Sequence, residues 1–253
     1  MLLSITNKCR MGCPHCMDDA LSTGDQFMDL QTFMDALDFN FKYDFNIIVT
    51  GGEPTEHPSF WMYMSIMASR LKAGSSCVVT TNGMNMDKDT GSIYDGMLKL
   101  NEISNGAITY QVTSHPDLYP TQIDLSNKIF SLPFVLVDRE IVGMYPQGRA
   151  LKNGFEPKLT KAPKCFNIRS AIISKENIGE SVFALRMLGK FCTPQIAPDG
   201  SIKLGESCLC PSVASIYDTE EQIVNKIKQF RCKGCKIALD MLPDFYKQVI
   251  GEC

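Results

Sequence analysis

Asn7-Lys8-Cys9-Arg10-Met11-Gly12-Cys13-Pro14-His15-Cys16 places three of the chain's eleven cysteines within eight residues. The spacing is C-x3-C-x2-C, directly after a short apolar run, Leu2-Leu3-Ser4-Ile5, that reads as a strand. Soft thiolates this close together suit a soft metal centre, either zinc or an iron–sulfur cluster. Three ligands is the informative count: a structural zinc site is closed by four protein ligands, whereas a catalytic metal keeps an exchangeable position. His15 could supply a fourth ligand, but it adjoins Cys16, a strained place from which to reach the same ion. Local spacing leaves zinc and iron–sulfur equally open.

Working outward, Phe45-Asn46-Ile47-Ile48-Val49-Thr50 reads as a compact buried strand that ends at Gly51-Gly52-Glu53-Pro54. Paired glycines let backbone approach a ligand closely, and a carboxylate beside them can receive an ammonium group. An ordinary Gly-Gly turn with a solvated Glu is the plainer alternative. Taken with the cysteine loop, however, Thr50-Gly51-Gly52-Glu53-Pro54 resembles the GGEP motif of the radical S-adenosylmethionine (radical SAM) enzymes, and C-x3-C-x2-C resembles their signature loop.

The resemblance implies that Cys9, Cys13 and Cys16 hold three irons of a [4Fe-4S] cluster. The amino and carboxylate groups of SAM would chelate the fourth iron. It places Gly51, Gly52 and Glu53 at the SAM amino group, and His15 where the family usually has an aromatic residue. Thr81-Asn82-Gly83 matches a tripeptide that recurs after the family's third strand, which makes Asn82 a cofactor-binding candidate. Ser114 falls where relatives set a Ser against the SAM ribose or carboxylate.

Composition agrees. The 253 residues suffice for one large domain and a small one. A net charge of −3 leaves no basic footprint for nucleic acid. No apolar run approaches the roughly 18 to 20 residues needed to cross a bilayer, and no signal-peptide pattern opens the chain. Eleven cysteines in such a chain point to metal ligation in a reducing, cytoplasmic interior rather than to disulfides.

In order, strand-like and helix-like segments alternate. Asp29 opens a helix with Leu30, Phe33, Met34, Leu37 and Phe41 on one face. Pro58 starts a second, whose Met and aromatic stripe reads as core. Cys77-Val78-Val79-Thr80 is a third strand with Cys77 as a small buried hydrophobe, Ile93 to Leu100 a weaker helix, and Ala107 to Thr113 a fourth strand. Phe134 to Val137 and Ile141 to Met144 supply two more. All three histidines follow predicted strands, where barrel active sites lie. His57 reads best as a cap for the next helix, and His115 as a candidate proton carrier. Arg149, in a Pro146-Gln147-Gly148-Arg149-Ala150 segment like one seen after the last strand of some relatives, is a catalytic candidate or a surface ion pair. The expected fold is α/β: residues 1–150 as a partial (β/α)6 TIM-like barrel, and residues 151–253 as a linker and small α+β domain.

Seven of the eleven cysteines lie in that second part. A hairpin turn at Pro198-Asp199-Gly200-Ser201 stands between Cys192 and Gly205-x4-Cys210. Thr219-Glu220-Glu221-Gln222 is a capping-box start for a helix that ends at Cys232-Lys233-Gly234-Cys235. This half resembles the SPASM/twitch extensions that carry auxiliary clusters. C-x12-G-x4-C and C-x2-C match, whereas the longer SPASM continuation is missing, so a twitch domain with one auxiliary [4Fe-4S] cluster is implied. Its ligands would be Cys192, Cys210, Cys232 and Cys235. Cys165, Cys208 and Cys253 remain possible replacements, and a structural zinc ribbon is the alternative.

The resemblance also implies a reaction. A flavodoxin or ferredoxin would reduce the first cluster, SAM would cleave to methionine and a 5′-deoxyadenosyl radical, and the radical would take hydrogen from the substrate. The cofactor carries that chemistry while the protein orients and excludes water. The breadth of the family favours a peptide or protein substrate, with a sugar- or aminocyclitol-type small molecule as the alternative. A chain starting at the first barrel strand is expected to lack a fused peptide-recognition domain, which weakens the peptide case. A non-enzymatic zinc-binding interaction module is the alternative of another class.

Overall fold

The computed structural model describes residues 1–16, 18–43, 46–83, 90–113, 132–138, 148–155, 194–203 and 212–229. Among these, five strands run parallel: β1 (Leu2–Ser4), β2 (Asn46–Thr50), β3 (Ser76–Thr81), β4 (Ile108–Thr113) and β5 (Val135–Asp138). Helices α1 (Leu30–Tyr43), α2 (Phe60–Arg70) and α3 (Thr90–Ile103) separate the first four, as parallel pairing requires a crossover. Asp29 caps α1, its Oδ1 accepting the Thr32 N–H at 2.8 Å. α3 extends beyond both ends of the expected 93–100 helix.

The two faces of this sheet differ, and the alternation within each strand shows why. Leu3, Ile5, Ile47, Val49, Cys77, Val79, Ile108, Tyr110 and Val112 point one way, into a core with Phe33 and Leu37 of α1, Phe60, Met64 and Met67 of α2, and Met97 and Leu100 of α3. Cys77 is fully buried there, the small hydrophobe its sequence suggested. The opposite face carries Ser4 beside Thr50, and Thr80 beside Gln111. Leu2, Ile48 and Val78 share that face, so it is mixed, with its polar groups toward the C-terminal ends of β1, β2 and β3. Parallel sheets covered on both faces ordinarily read as apolar throughout.

Three further strands extend the sheet at the β1 edge. β6 (Gln195–Ile196) pairs parallel to β1, then β7 (Ser201–Lys203) and β8 (Ser212–Ser215) follow antiparallel. The sheet order is β5-β4-β3-β2-β1-β6-β7-β8. The hairpin expected in the second part is thus continuous with the barrel sheet, Ile196 and Ile202 filling the apolar face beside Leu3. β8 had no sequence signal. A short helix, α4 (Gly148–Lys152), and α5 (Glu220–Gln229) complete the described elements. α5 starts with the capping box its sequence announces: Thr219 N–H donates to Gln222 Oε1 at 2.9 Å, and Gln222 N–H to Thr219 Oγ1 at 3.3 Å. The sixth strand expected at Ile141–Met144 lies outside the described residues, as does the segment carrying Cys232 and Cys235.

Candidate functional site

The cysteine loop leaves β1 and is held by backbone before any side chain acts. Cys9 N–H donates to Leu21 O at 2.9 Å, and Cys16 N–H closes a turn on Cys13 O at 3.2 Å. Cys9, Met11, Cys13 and Ala20 pack into one small buried cluster with Cys16 against it, so the three sulfur side chains share a single locale. Burial pushes the Cys9 thiol up to about 11, with the negative fields of Glu53, Glu56 and Cys16 adding to it. Burial likewise pushes Cys13 up to about 12, with Cys9 and Cys16 contributing. Thiols so placed are neutral at physiological pH, and a cationic centre binding them must displace their protons.

The Gly51-Gly52 pair serves a close approach, but of backbone to backbone. Gly51 has φ +147°, and a Cβ there would run into the Thr6 carbonyl oxygen; one on Gly52 would run into that of Lys8. Freed of side chains, the turn docks on the start of the cysteine loop. Gly52 N–H donates to Thr6 O and Glu53 N–H to Lys8 O, both at 2.7 Å. Glu56, three residues on, continues the seam: Oε1 accepts the Arg10 N–H at 2.9 Å and Oε2 lies 3.1 Å from Arg10 Nε.

Glu53 itself is 1% exposed. Its Oε1 accepts the Thr55 N–H (3.1 Å), the Thr55 hydroxyl (2.6 Å) and the Thr81 hydroxyl (2.6 Å), while Oε2 accepts the Asn82 N–H (2.8 Å). Burial pushes the carboxyl up, and these donors pull the other way. Oε1 is saturated; Oε2 retains acceptor capacity. Asn82 completes the bridge, its Nδ2 donating to Cys9 Sγ at 3.6 Å. The Gly-Gly-Glu turn, the Thr-Asn-Gly turn and the first cysteine are therefore one hydrogen-bonded unit.

On its far side the loop meets α4. Arg149 donates from Nη1 to Cys13 O at 2.9 Å and from Nη2 to Ala20 O, and its Nε lies 3.4 Å from Asp19 Oδ1. The ion pair considered for Arg149 from sequence is made with Asp19, while the guanidinium nitrogens Nη1 and Nη2 turn onto the loop backbone. His15 is buried, its ring edge-on to Phe155 with centroids 6.3 Å apart. His57 sits away from the sulfurs as a structural group: Nδ1 accepts the Ser59 N–H at 3.0 Å and Nε2 reaches Met28 O at 2.9 Å. Ser114, His115, Cys192, Cys210, Cys232 and Cys235 lie outside the described residues, as do Cys165, Cys208 and Cys253.

Sequence reading missed Thr55, Glu56 and Thr81. Glu56 carried a usable signal, a second carboxylate within Glu53-Pro54-Thr55-Glu56 with a cation, Arg10, in the loop it faces. Thr55 carried none, because a hydroxyl in a turn looks like any turn residue, and Thr81 stood within the Thr81-Asn82-Gly83 tripeptide, of which only Asn82 was read as a candidate.

The donor set is three thiols gathered in one small cluster, which fits a thiolate-ligated metal centre. A four-iron cluster would take one thiolate on each of three irons, and a zinc would take all three on one ion.

Comparison with known proteins agrees with this arrangement. Residues 3–117 match the Radical SAM superfamily model, a stretch that runs from β1 through β4 and contains Cys9, Cys13, Cys16, Gly51, Gly52, Glu53 and Asn82. The fold is similar to the crystal structure of BtrN in complex with AdoMet and 2-DOIA, at 12% identity and a TM-score of 0.52 over 90% of this chain and 81% of that one. Weaker similarity extends to native anSMEcpe with bound AdoMet and Cp18Cys peptide, at 13% identity and a TM-score of 0.41 over 93% of this chain and 84% of that one. No curated protein matches the chain. No described helix is long and apolar enough to cross a membrane.

Proposed function

We propose that the chain is a radical SAM enzyme in which Cys9, Cys13 and Cys16 hold a [4Fe-4S] cluster and the adjoining turns receive SAM. The observation that carries this reading is the direct bonding of three separate motifs: Glu53 N–H to Lys8 O, Asn82 N–H to Glu53 Oε2, and Asn82 Nδ2 to Cys9 Sγ. An interaction module stapled by zinc has no use for a buried carboxylate tied to two strand ends. When bound, the cluster supplies the electron that cleaves SAM to a 5′-deoxyadenosyl radical able to take hydrogen from an unactivated carbon.

The chain's own residues bind and orient. Cys9 and Cys13 are buried against Met11 and Ala20, an apolar wall that keeps water from those two sulfurs, and Cys16 lies partly exposed beside them. Glu53 Oε2, beside the Gly51-Gly52 turn, is the acceptor left for an ammonium group, and Asn82 fixes the Cys9 sulfur through its side chain. Cys192, Cys210, Cys232 and Cys235 would hold one auxiliary [4Fe-4S] cluster, which would supply a route for an electron to or from the substrate. A flavodoxin or ferredoxin of a reducing cytoplasm is the electron donor.

For the substrate, a small hydroxylated or aminated molecule has the better support. The sheet face away from the helices carries Ser4, Thr50, Thr80, Thr109, Gln111 and Thr113 among the apolar Leu2, Ile48, Val78 and Leu136, a mixed surface that offers hydrogen-bonding groups to a polar ring. The BtrN complex, whose fold this chain shares, holds 2-DOIA. The peptide reading rests on family breadth alone. Protein purified and reconstituted without oxygen, then given SAM and dithionite, should be brown and release 5′-deoxyadenosine. Candidate polyols should raise that yield and unmodified peptides should not; stimulation by a peptide instead would move the substrate class. A colourless protein containing only zinc would remove the radical reading altogether.

A further inference from the structure

The C-x3-C-x2-C loop is bonded on its far side by residues more than 120 positions away in sequence. α4 delivers its donors to a run of loop carbonyls. Arg149 N–H and Ala150 N–H both donate to Cys16 O, at 2.8 and 3.2 Å. The Arg149 guanidinium takes Cys13 O and Ala20 O, and Asn153 Nδ2 takes Pro14 O at 2.8 Å. Lys152 and Arg149 both pair with Asp19, on the same loop. Every carbonyl so engaged lies at, between or just beyond the second and third cysteines. The first cysteine is fixed from the opposite side by Asn82 and the Gly-Gly-Glu turn, so each half of the loop has its own support.

We propose that Arg149 and Asn153 are positioning residues that latch the Cys13–Cys16 half of the loop in ligand-ready form. The inference rests on the reading of those cysteines as cluster ligands. Without the latch, residues 13–20 would have to order as iron binds, and the entropy of ordering would weaken the hold on iron. The guanidinium reaches two carbonyls with two nitrogens held in a fixed fork, a geometry that a single ammonium nitrogen does not reproduce. Arg149→Lys should therefore restore part of what Arg149→Gln loses.

The test measures iron release from anaerobically reconstituted protein to a ferrous chelator, with the Cys9/Cys13/Cys16→Ala variant as the blank for iron held elsewhere. Arg149→Gln should release the blank-corrected iron at least about tenfold faster than wild type, Asn153→Ala about fivefold faster, and Arg149→Lys at an intermediate rate. The electron paramagnetic resonance spectrum of the reduced, SAM-bound cluster should broaden in the same order, while circular dichroism melting of the iron-free proteins stays together. Should Arg149→Gln fail to fold, Asn153→Ala, which loses one exposed hydrogen bond, carries the test alone. Unchanged release and unchanged spectra in the folded variants would overturn the latch, even if turnover fell. Wild-type protein with no iron above the blank would instead overturn the cluster assignment itself.

Discussion

The Thr81 hydroxyl donates to Glu53 Oε1 at 2.6 Å, joining the ends of β2 and β3 through one buried carboxylate. Because Asn82 N–H takes the other oxygen and Asn82 Nδ2 reaches Cys9 Sγ, that carboxylate also governs where the first cysteine lies. Its role in holding the protein together is therefore coupled to the SAM-binding role proposed for it.

Glu53→Gln tests the structural half. Each carboxylate oxygen accepts a backbone N–H that cannot reverse, Thr55 on Oε1 and Asn82 on Oε2. Either orientation of a glutamine amide sets N–H against N–H. The iron-free variant should lose about 1–3 kcal/mol of stability, the cost of a buried unsatisfied donor, read as a lower urea midpoint at unchanged slope. Equal midpoints would mean that the carboxylate does not tie the strands.

Gly51→Ala should be harsher than an ordinary glycine substitution. The residue combines a positive φ with the Thr6 carbonyl where a Cβ would sit. Backbone strain and overpacking together should cost about 2–5 kcal/mol. Gly12→Ala is the control: it shares a positive φ, but its Cβ would meet nothing within 4 Å, so only the strain applies. Similar losses in the two variants would show that the clash with Thr6 is not the cause.

His57 gives the pH dependence. Burial lowers its pKa below the usual 6.5, and Nδ1 must stay unprotonated to accept the Ser59 N–H. The unfolded chain takes up a proton first as pH falls below about 6.5, so this contribution to stability is present above that value and lost beneath it. The slope reaches at most about 1.4 kcal/mol per pH unit. Denaturation midpoints from pH 7.5 to 5 should therefore draw together for wild type and His57→Asn as pH falls. A gap that stays constant would show that the ring takes up its proton as readily in the folded protein as in the unfolded chain.

Where the sequence was legible, short-range physics set the outcome. The cysteine spacing, the strand before Gly51-Gly52, the capping box at Thr219 and the apolar stripe of α1, of whose five residues Leu30 alone is exposed, depend on neighbours a few residues apart. Long-range pairings left no such trace. Nothing near Arg149 in sequence says that its partners are Cys13, Ala20 and Asp19, and nothing in Gln195-Ile196 says that it will pair with β1. The glycines show the middle case: their need for close approach was readable, but what approaches them, the backbone of Thr6 to Lys8, was not.

The second part of the chain is tested by counting metal. Two four-iron clusters require about eight irons per chain, and the Cys9/Cys13/Cys16→Ala variant should keep about four. Replacing Cys232 and Cys235 as well should remove the remainder. With the first cluster intact, Cys235→Ala should still form 5′-deoxyadenosine but fail to convert substrate. Normal conversion by a variant lacking the second iron set would leave an electron-carrying cluster there without support.

The most direct measurement of the central assignment is 5′-deoxyadenosine formation from SAM under dithionite, compared between wild type and the single variants Cys9→Ala, Cys13→Ala and Cys16→Ala. Wild-type protein should form it steadily, and each variant should fall to the level of the protein-free blank while keeping the iron of the second site. Formation at the wild-type rate by any of the three would contradict a SAM-cleaving cluster held by these cysteines.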